Sequence, residues 1–192
     1  WRETVVALDK DETLQLALGP ETALTALTHR LEDTKPGDVV ETCAPALPIT
    51  QAIAARIARH GGAALIVDYG DWRALGDTLQ ALRGHAPTPV LHDPGSADLT
   101  AHVDFEPLAK AAQAAGISHS LLTPQGIFLE RLGITARAQA LAKSLSGAAL
   151  QSHVAAHRRL THPEEMGNLF KVLGLFPRHA SPPPGLEPIP TP

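Results

Sequence analysis

Hydrophobic positions along this chain change period several times. Thr4 to Leu8 is β-prone, Asp9-Lys10-Asp11-Glu12 is polar, and Leu14, Leu16 and Leu18 then alternate with polar or small residues, which predicts a hairpin. Past Gly19-Pro20, Leu24, Leu27 and Leu31 recur at three- and four-residue spacing and predict a helix ending before Lys35-Pro36-Gly37. Ile49, Ile53 and Ile57 then fall four apart on one helical face, with Arg56, Arg59 and His60 near the end and Gly61-Gly62 as the stop. Ala63 to Val67 is apolar without alternation, as a strand covered on both faces is. A helix leading into a buried strand is half of an α/β unit.

Further along, Asp71 to Pro94 reads as a long Gly- and Pro-punctuated connection, a length usually found in lids or binding segments. A helix to Gly116, a short strand at Ile117 to Leu122, and a largely helical region from Gln125 to Leu160 with breaks near Gly133 and Gly147 follow. Asn168 to Phe176 reads as a last strand, and the Pro-dominated 177–192 as a disordered or extended tail.

Composition narrows the class. With 192 residues, 44% of them hydrophobic, the chain can bury a core. A formal net charge of −4 without a long single-sign run advertises neither a nucleic-acid nor an anionic-membrane surface. No apolar stretch approaches the ~20 residues of a spanning helix. Cys43 is the single cysteine, which excludes an internal disulfide or a Cys-rich metal site and suits a reducing, cytosol-like compartment. It lacks a basic partner in sequence and reads as a buried or inert thiol. The chain opens at Trp1, already in a strand pattern, which suggests a piece of something longer.

Two stretches hold candidate chemistry. In "ADLTAHVDF" (Ala97 to Phe105), Asp104 can be a helix N-cap, with Val103 and Leu108 as the hydrophobic staple and Pro107 in the first turn. Its carboxylate would then take the N–H of Glu106. Asp98, Thr100 and His102 are left unexplained by that cap. His102 with Asp104 lacks a third metal ligand at a diagnostic spacing, and so does the set His153, His157 and His162, so no metal is expected. In "IVDYGDW" (Ile66 to Trp72), Asp68, Tyr69 and Gly70 stand at the carboxyl end of a strand, where α/β sheets collect ligands. The alternative is a plain strand-to-loop turn with Gly70 at positive φ. There is no G-x-G and no G-x-S-x-G anywhere.

Five blocks in order, "GGAALIVDYG", "GDTLQALRGH", "DPGSADLTAHVDF", "QGIFLERLGI" and "MGNLFKVLGL", resemble the carboxyl-terminal half of the MidA-like family. These are S-adenosylmethionine-dependent methyltransferases that include the mitochondrial complex I assembly-factor arginine methyltransferase. The resemblance implies an α/β, class I (Rossmann-like) methyltransferase fold with a reversed last strand, partial because the N-terminal cofactor-binding half is missing. Residues 1–34 would be the hairpin and helix of an insertion, 35–176 the C-terminal half of the methyltransferase domain, and 177–192 a disordered tail. The family's Gly-rich loop and acidic ribose ligand would lie upstream of Trp1, which accounts for the missing G-x-G. Asp68, Tyr69, Gly70, Asp98, Thr100, His102, Asp104 and Gln125 become pocket or substrate candidates, and Glu41 a loose cofactor-side match. Pro124 departs from the family's Thr before the Gln-Gly pair.

The function expected is the carboxyl-terminal part of a protein methyltransferase, using S-adenosylmethionine and no metal on an arginine of a respiratory complex I subunit or similar protein. The piece alone is expected to be inactive. Carboxylates such as Asp68, Asp98 or Asp104 would orient the guanidinium, and Tyr69 would stack on it. The rival is a non-catalytic docking module with the same fold. The expected location is the cytoplasm of a bacterium or the mitochondrial matrix of a eukaryote, with a protein substrate as partner, no nucleic acid and no membrane insertion. An open strand edge makes a homo-oligomer an expected state.

Overall fold

The computed structural model describes residues 1–190. In chain order the elements are β1 (Arg2–Leu8), β2 (Leu14–Glu21), a 3-10 turn (Thr25–Arg30), α1 (Ala46–His60), β3 (Ala64–Asp71), β4 (Gln80–Arg83), β5 (Ala86–Thr88), β6 (Asp98–Thr100), β7 (Val103–Asp104) and α2 (Phe105–Ala114). Then come β8 (Ser118–His119), β9 (Thr123–Pro124), α3 (Gln125–Arg131), α4 (Ile134–Ala142), α5 (Gly147–Thr161), α6 (Met166–Leu169) and β10 (Phe170–Phe176). Contacts divide the chain into two compact units, Trp1–Val40 with Leu75–Ala101, and Glu41–Ala74 with His102–Pro192.

The first unit holds the antiparallel β1–β2 hairpin, with Val6 opposite Leu16 and Leu8 opposite Leu14. The Leu24-Leu27-Leu31 helix is realised only as the 3-10 turn, in which Leu27 is buried. Its Arg30 is fully covered, with Nε donating to both carboxylate oxygens of Asp33. The connection expected from Asp71 to Pro94 is not structureless. Residues 80–100 supply β4, β5 and β6, an antiparallel sheet in the order β5-β4-β6, closed by type-permissive turns at Gly84 and His85, both at positive φ.

The second unit is built on a sheet ordered β7-β3-β10-β8, with β9 also on β10. β10 runs antiparallel to β3 from Phe170 opposite Tyr69 to Leu175 opposite Ala64. The strand pleat sorts these residues onto two faces. Ile66, Leu173 and Leu175 join Ile57 of α1 and Phe105, Leu108 and Ala112 of α2 in the main core. The helical face of α1 is turned from the expected one: Thr50, Ala54 and Ile57 are buried, while Ile49 is 60% exposed. Gly61 ends that helix as expected, at φ 73° with its N–H on the Ile57 carbonyl.

On the other sheet face, Val172 packs with Phe128 of α3 and Leu186. Within the segment expected as a disordered or extended tail, Leu186 is buried in this cluster while many of its neighbours stay exposed, and Thr191 and Pro192 lie outside the described residues. Gly174 makes room for it, since a Cβ there would strike Leu186 and meet Pro183. A proline-rich segment needs few backbone partners, and those that hold it include the Leu121 N–H on the Glu187 carbonyl and Arg131 on the Glu187 carboxylate at 2.8 Å. β3 has no such cover, and Leu65 and Val67 stay 48% and 46% exposed.

Two closures hold the second unit. Gly126 and Gly167 both lie against the Thr161 carbonyl at the end of α5, where either Cβ would collide with it. Nearby, the Gln125 amide donates to the Leu160 carbonyl at 2.9 Å. The other closure joins the chain after β3 to the start of α2. Arg73 grips the buried Glu106 through Nε and Nη2 at 2.7 and 2.9 Å, Lys110 adds a contact at 3.0 Å, and the Glu106 N–H donates to the Trp72 carbonyl. The Arg73 hydrogen bonds outweigh burial and lower the Glu106 carboxyl to about 2.

Two stability predictions follow from these closures. Because the folded carboxyl titrates below the ordinary 4.5, its stabilisation is complete above that value and is lost as pH falls toward about 2. Glu106→Gln is expected to lower unfolding free energy at pH 7 on the order of 2 to 3 kcal/mol and to flatten the loss between pH 5 and 2, read from urea titrations across that range. Gly167→Ala is expected to cost about 1–3 kcal/mol or more by forcing backbone apart. Hydrogen exchange should show the loosening first at the α5 end.

Candidate functional site

At the carboxyl end of β3 the sheet changes partner. β7 pairs there in parallel, Gly70 beside Val103 and Asp71 beside Asp104. The approach is close enough that a Cβ on Gly70, which sits at φ 152°, would overlap the Val103 backbone. That tight pairing fixes which side chains share a face. Tyr69 and Asp71 point to one side, and the adjacent His102 and Asp104 share it by the same alternation. The rings bear this out: Tyr69 lies 5.5 Å from His102 and 5.3 Å from Phe170, the latter edge to face.

Phe170 and Asp71 were not among the expected residues. Phe170 opens the last strand, and antiparallel pairing sets it opposite Tyr69. A signal existed in the aromatic residue heading "FKVLGLF", readable only once the register is known. Asp71, exposed, receives its own neighbour's Trp72 N–H at 2.7 Å.

The other expected residues part company. Asp68 falls on the opposite, helix-covered face, level with Lys171, and accepts the Tyr69 N–H. Gln125 is buried and engaged with the end of α5. Glu41 is half-buried just ahead of α1. Asp98 and Thr100 belong to the first unit, in β6 opposite Leu82 and Gln80. The stretch "ADLTAHVDF" is thus divided between the units after Ala101.

Asp104 does occupy the N-cap position of α2, with extended backbone, but its carboxylate makes no capping hydrogen bond. The expected donor, the Glu106 N–H, is used by the Trp72 carbonyl instead. The staple residues both join the main core, Leu108 within it and Val103 packed against it. Among the described residues no group of three His, Cys, Asp or Glu side chains could hold a metal.

Two cavities are present in the second unit. One of about 320 Å³ is bounded by Trp72, His119 and Ile189, and another of about 220 Å³ by α4 and α5 around His153 and His157. Neither is lined by a carboxylate, so neither suits the ribose hydroxyls of a nucleoside cofactor.

Comparison with known proteins connects this arrangement to chemistry. Residues 1–123 match the sequence profile of a family described as "Putative S-adenosyl-L-methionine-dependent methyltransferase". The mitochondrial protein arginine methyltransferase NDUFAF7 of Xenopus laevis is 36% identical over 182 residues, 92% of this chain and 41% of its own length. The human protein of the same name is 34% identical over 180 residues, 92% of this chain and 40% of its own. A crystal structure of a COG1565 superfamily member from Burkholderia thailandensis, bound to S-adenosyl-homocysteine, superposes with a TM-score of 0.78 at 27% identity, covering 94% of this chain and 48% of that one. The chain therefore spans about two-fifths of the length of the curated relatives it matches. With the mixed α/β fold and most of its residues matched, this chain belongs to the S-adenosyl-L-methionine-dependent methyltransferase family.

Proposed function

We propose that the chain is the carboxyl-terminal part of a protein methyltransferase that moves a methyl group from S-adenosylmethionine to an arginine of a partner protein. The observation that carries this reading is the face at the end of β3, where an aromatic ring stands beside carboxylates, together with relatives named as arginine methyltransferases. An arginine stays protonated in water, so a site that uses it must orient a planar cation. Tyr69, backed by Phe170 and His102, offers a ring face to the guanidinium. Asp71 offers a carboxylate that can take two of its N–H groups, with Asp104 beside it. A subunit of respiratory complex I is the partner favoured by the family resemblance.

Neither of the two cavities described above carries a carboxylate for a ribose, which supports a division of labour in which the cofactor is held elsewhere. When bound, S-adenosylmethionine supplies a methyl group activated by its sulfonium. This chain's own residues present the acceptor and exclude water around it. In this reading the fold is partial: the long edge of β3 opposite β10 pairs only at Gly70 and Asp71 among the described residues, and its Leu65 and Val67 stay half-exposed. A further parallel strand and a covering helix, carrying the cofactor site, would complete both. The sheet order β3-β10-β8, with β10 reversed, is the closing end of such a fold.

Calorimetry separates the claims. The 192-residue chain alone is expected to give no binding heat with S-adenosylmethionine, and a chain extended upstream to the length of its relatives is expected to bind. Binding by the short chain would refute the division, while silence from both would favour the non-catalytic docking module. In the extended protein, Asp71→Asn is expected to lower methylation kcat/KM about 10- to 100-fold, the worth of one charge-assisted hydrogen-bonded contact of about 1.5–3 kcal/mol. Tyr69→Ala should act mainly on KM. Peptide mass spectrometry reads both, and unchanged rates would remove this face from the acceptor site.

A further inference from the structure

His119 is only 5% exposed, yet it belongs neither to the face at the end of β3 nor to the two closures of the second unit. It sits on β8, level with Leu175 across the antiparallel pair. Its Nδ1 lies 2.8 Å from the Ser120 carbonyl, and because a carbonyl only accepts, Nδ1 carries the hydrogen and donates it. In the neutral ring that bond fixes the tautomer and leaves Nε2 an acceptor. Among the described residues Nε2 has no hydrogen-bond partner. A buried acceptor in that condition is expected to meet a ligand or a water.

The cavity of about 320 Å³ is the space that His119 borders. Its walls are Trp72, His119, Ser120, Leu121, Leu122 and Ile189, all within the second unit. The Ser120 hydroxyl is already spent, donating to the Leu121 carbonyl and accepting the Gly174 N–H, each at 2.9 Å. Among the described residues no carboxylate, lysine or arginine lines the space, so a charged ligand would find no counter-ion there. What remains is three aliphatic side chains and two ring systems, Trp72 and His119, with centroids 5.8 Å apart and planes inclined at 32°. The space is larger than the ~150 Å³ that admits benzene to an apolar cavity.

We propose that this cavity binds a neutral phenol, a single aromatic ring whose hydroxyl donates to His119 Nε2 while the ring packs on Trp72 among Leu121, Leu122 and Ile189. Each part of that ligand answers one part of the wall. The flat body matches the indole face, the aliphatic side chains take its apolar edge, and the donor satisfies the acceptor left over on the buried imidazole. An unsubstituted aromatic would leave Nε2 unmet, and a saturated ring would have no flat face for Trp72. The inference is independent of the acceptor reading at β3, since neither Tyr69 nor Asp71 lines this space.

Titration calorimetry of the 192-residue chain tests it, with p-cresol as the probe, toluene as the analogue without a donor and cyclohexanol as the analogue without a flat ring. One equivalent of p-cresol is expected to bind with Kd below about 1 mM, and each analogue at least about tenfold more weakly. Nitrogen NMR of the chain carrying isotope-labelled histidine reads the contact itself: the His119 Nε2 resonance should move upfield with p-cresol and hold its place with toluene. Ile189→Trp, at a half-buried position outside the core clusters, should fill the cavity and abolish binding. His119→Phe should bring p-cresol and toluene to within about twofold of each other, since no acceptor is left. Circular dichroism shows whether each variant is folded, and if His119→Phe is not, the labelled spectrum of the unchanged chain decides. Equal affinity for p-cresol and toluene, an unmoved Nε2 resonance, or full binding by Ile189→Trp would each overturn the proposal. So would silence from all three probes, which would assign the cavity to water.

Discussion

The close parallel approach of Gly70 to Val103 is the constraint on which the second unit depends. No side chain fits between those backbones, so the sequence can run β3 into a sharp departure there only with glycine at that position. The same approach brings β7 into line with β3 and starts α2 directly over the sheet. Arg73 and Glu106 then secure the departing and arriving segments to each other with a bidentate ion pair. Its buried carboxylate is anchored by two cations and a helix terminus, which is why that acid serves structure and lies outside the face where Tyr69 and Asp71 are displayed.

From that junction the covering of the sheet follows unevenly. β10 is buried on both faces, by α1 and α2 on one and by α3 and the strap ending in Leu186 on the other. β3 shares the first cover and has little of the second. A long strand with one free edge and half-exposed Leu65 and Val67 is costly in isolation, because its backbone donors and apolar side chains invite pairing. In the fold proposed here the missing neighbour is also the bearer of the cofactor, so the surface most in need of burial is the one next to the chemistry.

Much of this was legible from residue pattern and much was not, for identifiable reasons. The hairpin, the run Ala63 to Val67 and the helix stop at Gly61 are local, and local rules found them. The family blocks carried the reversed last strand, which no periodicity could. Side-chain grouping depended on register: Asp68 and Tyr69 are neighbours in sequence and opposites across a pleat, while Phe170 is a hundred residues from Tyr69 and touches it. Gln125 carried a polar amide into a buried place, which reads as chemistry until the Leu160 carbonyl it satisfies is known. The composition of the proline-rich end describes what it cannot form, a ladder or a helix. It says nothing of the groove that Gly174 leaves for Leu186.

The distribution of charge completes the physical picture. Carboxylates side by side at Asp71 and Asp104 repel, and the rings of Tyr69 and Phe170 beside them lower the local dielectric on one side. A face of that composition gains more from a planar cation than from water, since a guanidinium meets the ring with its face and the carboxylate with its edge. Lysine, a compact and strongly hydrated charge, would answer only the carboxylate. The proposed preference for arginine thus rests on the pairing of an aromatic wall with an acidic edge, and that pairing exists only because Gly70 lets β7 come close enough to align with β3.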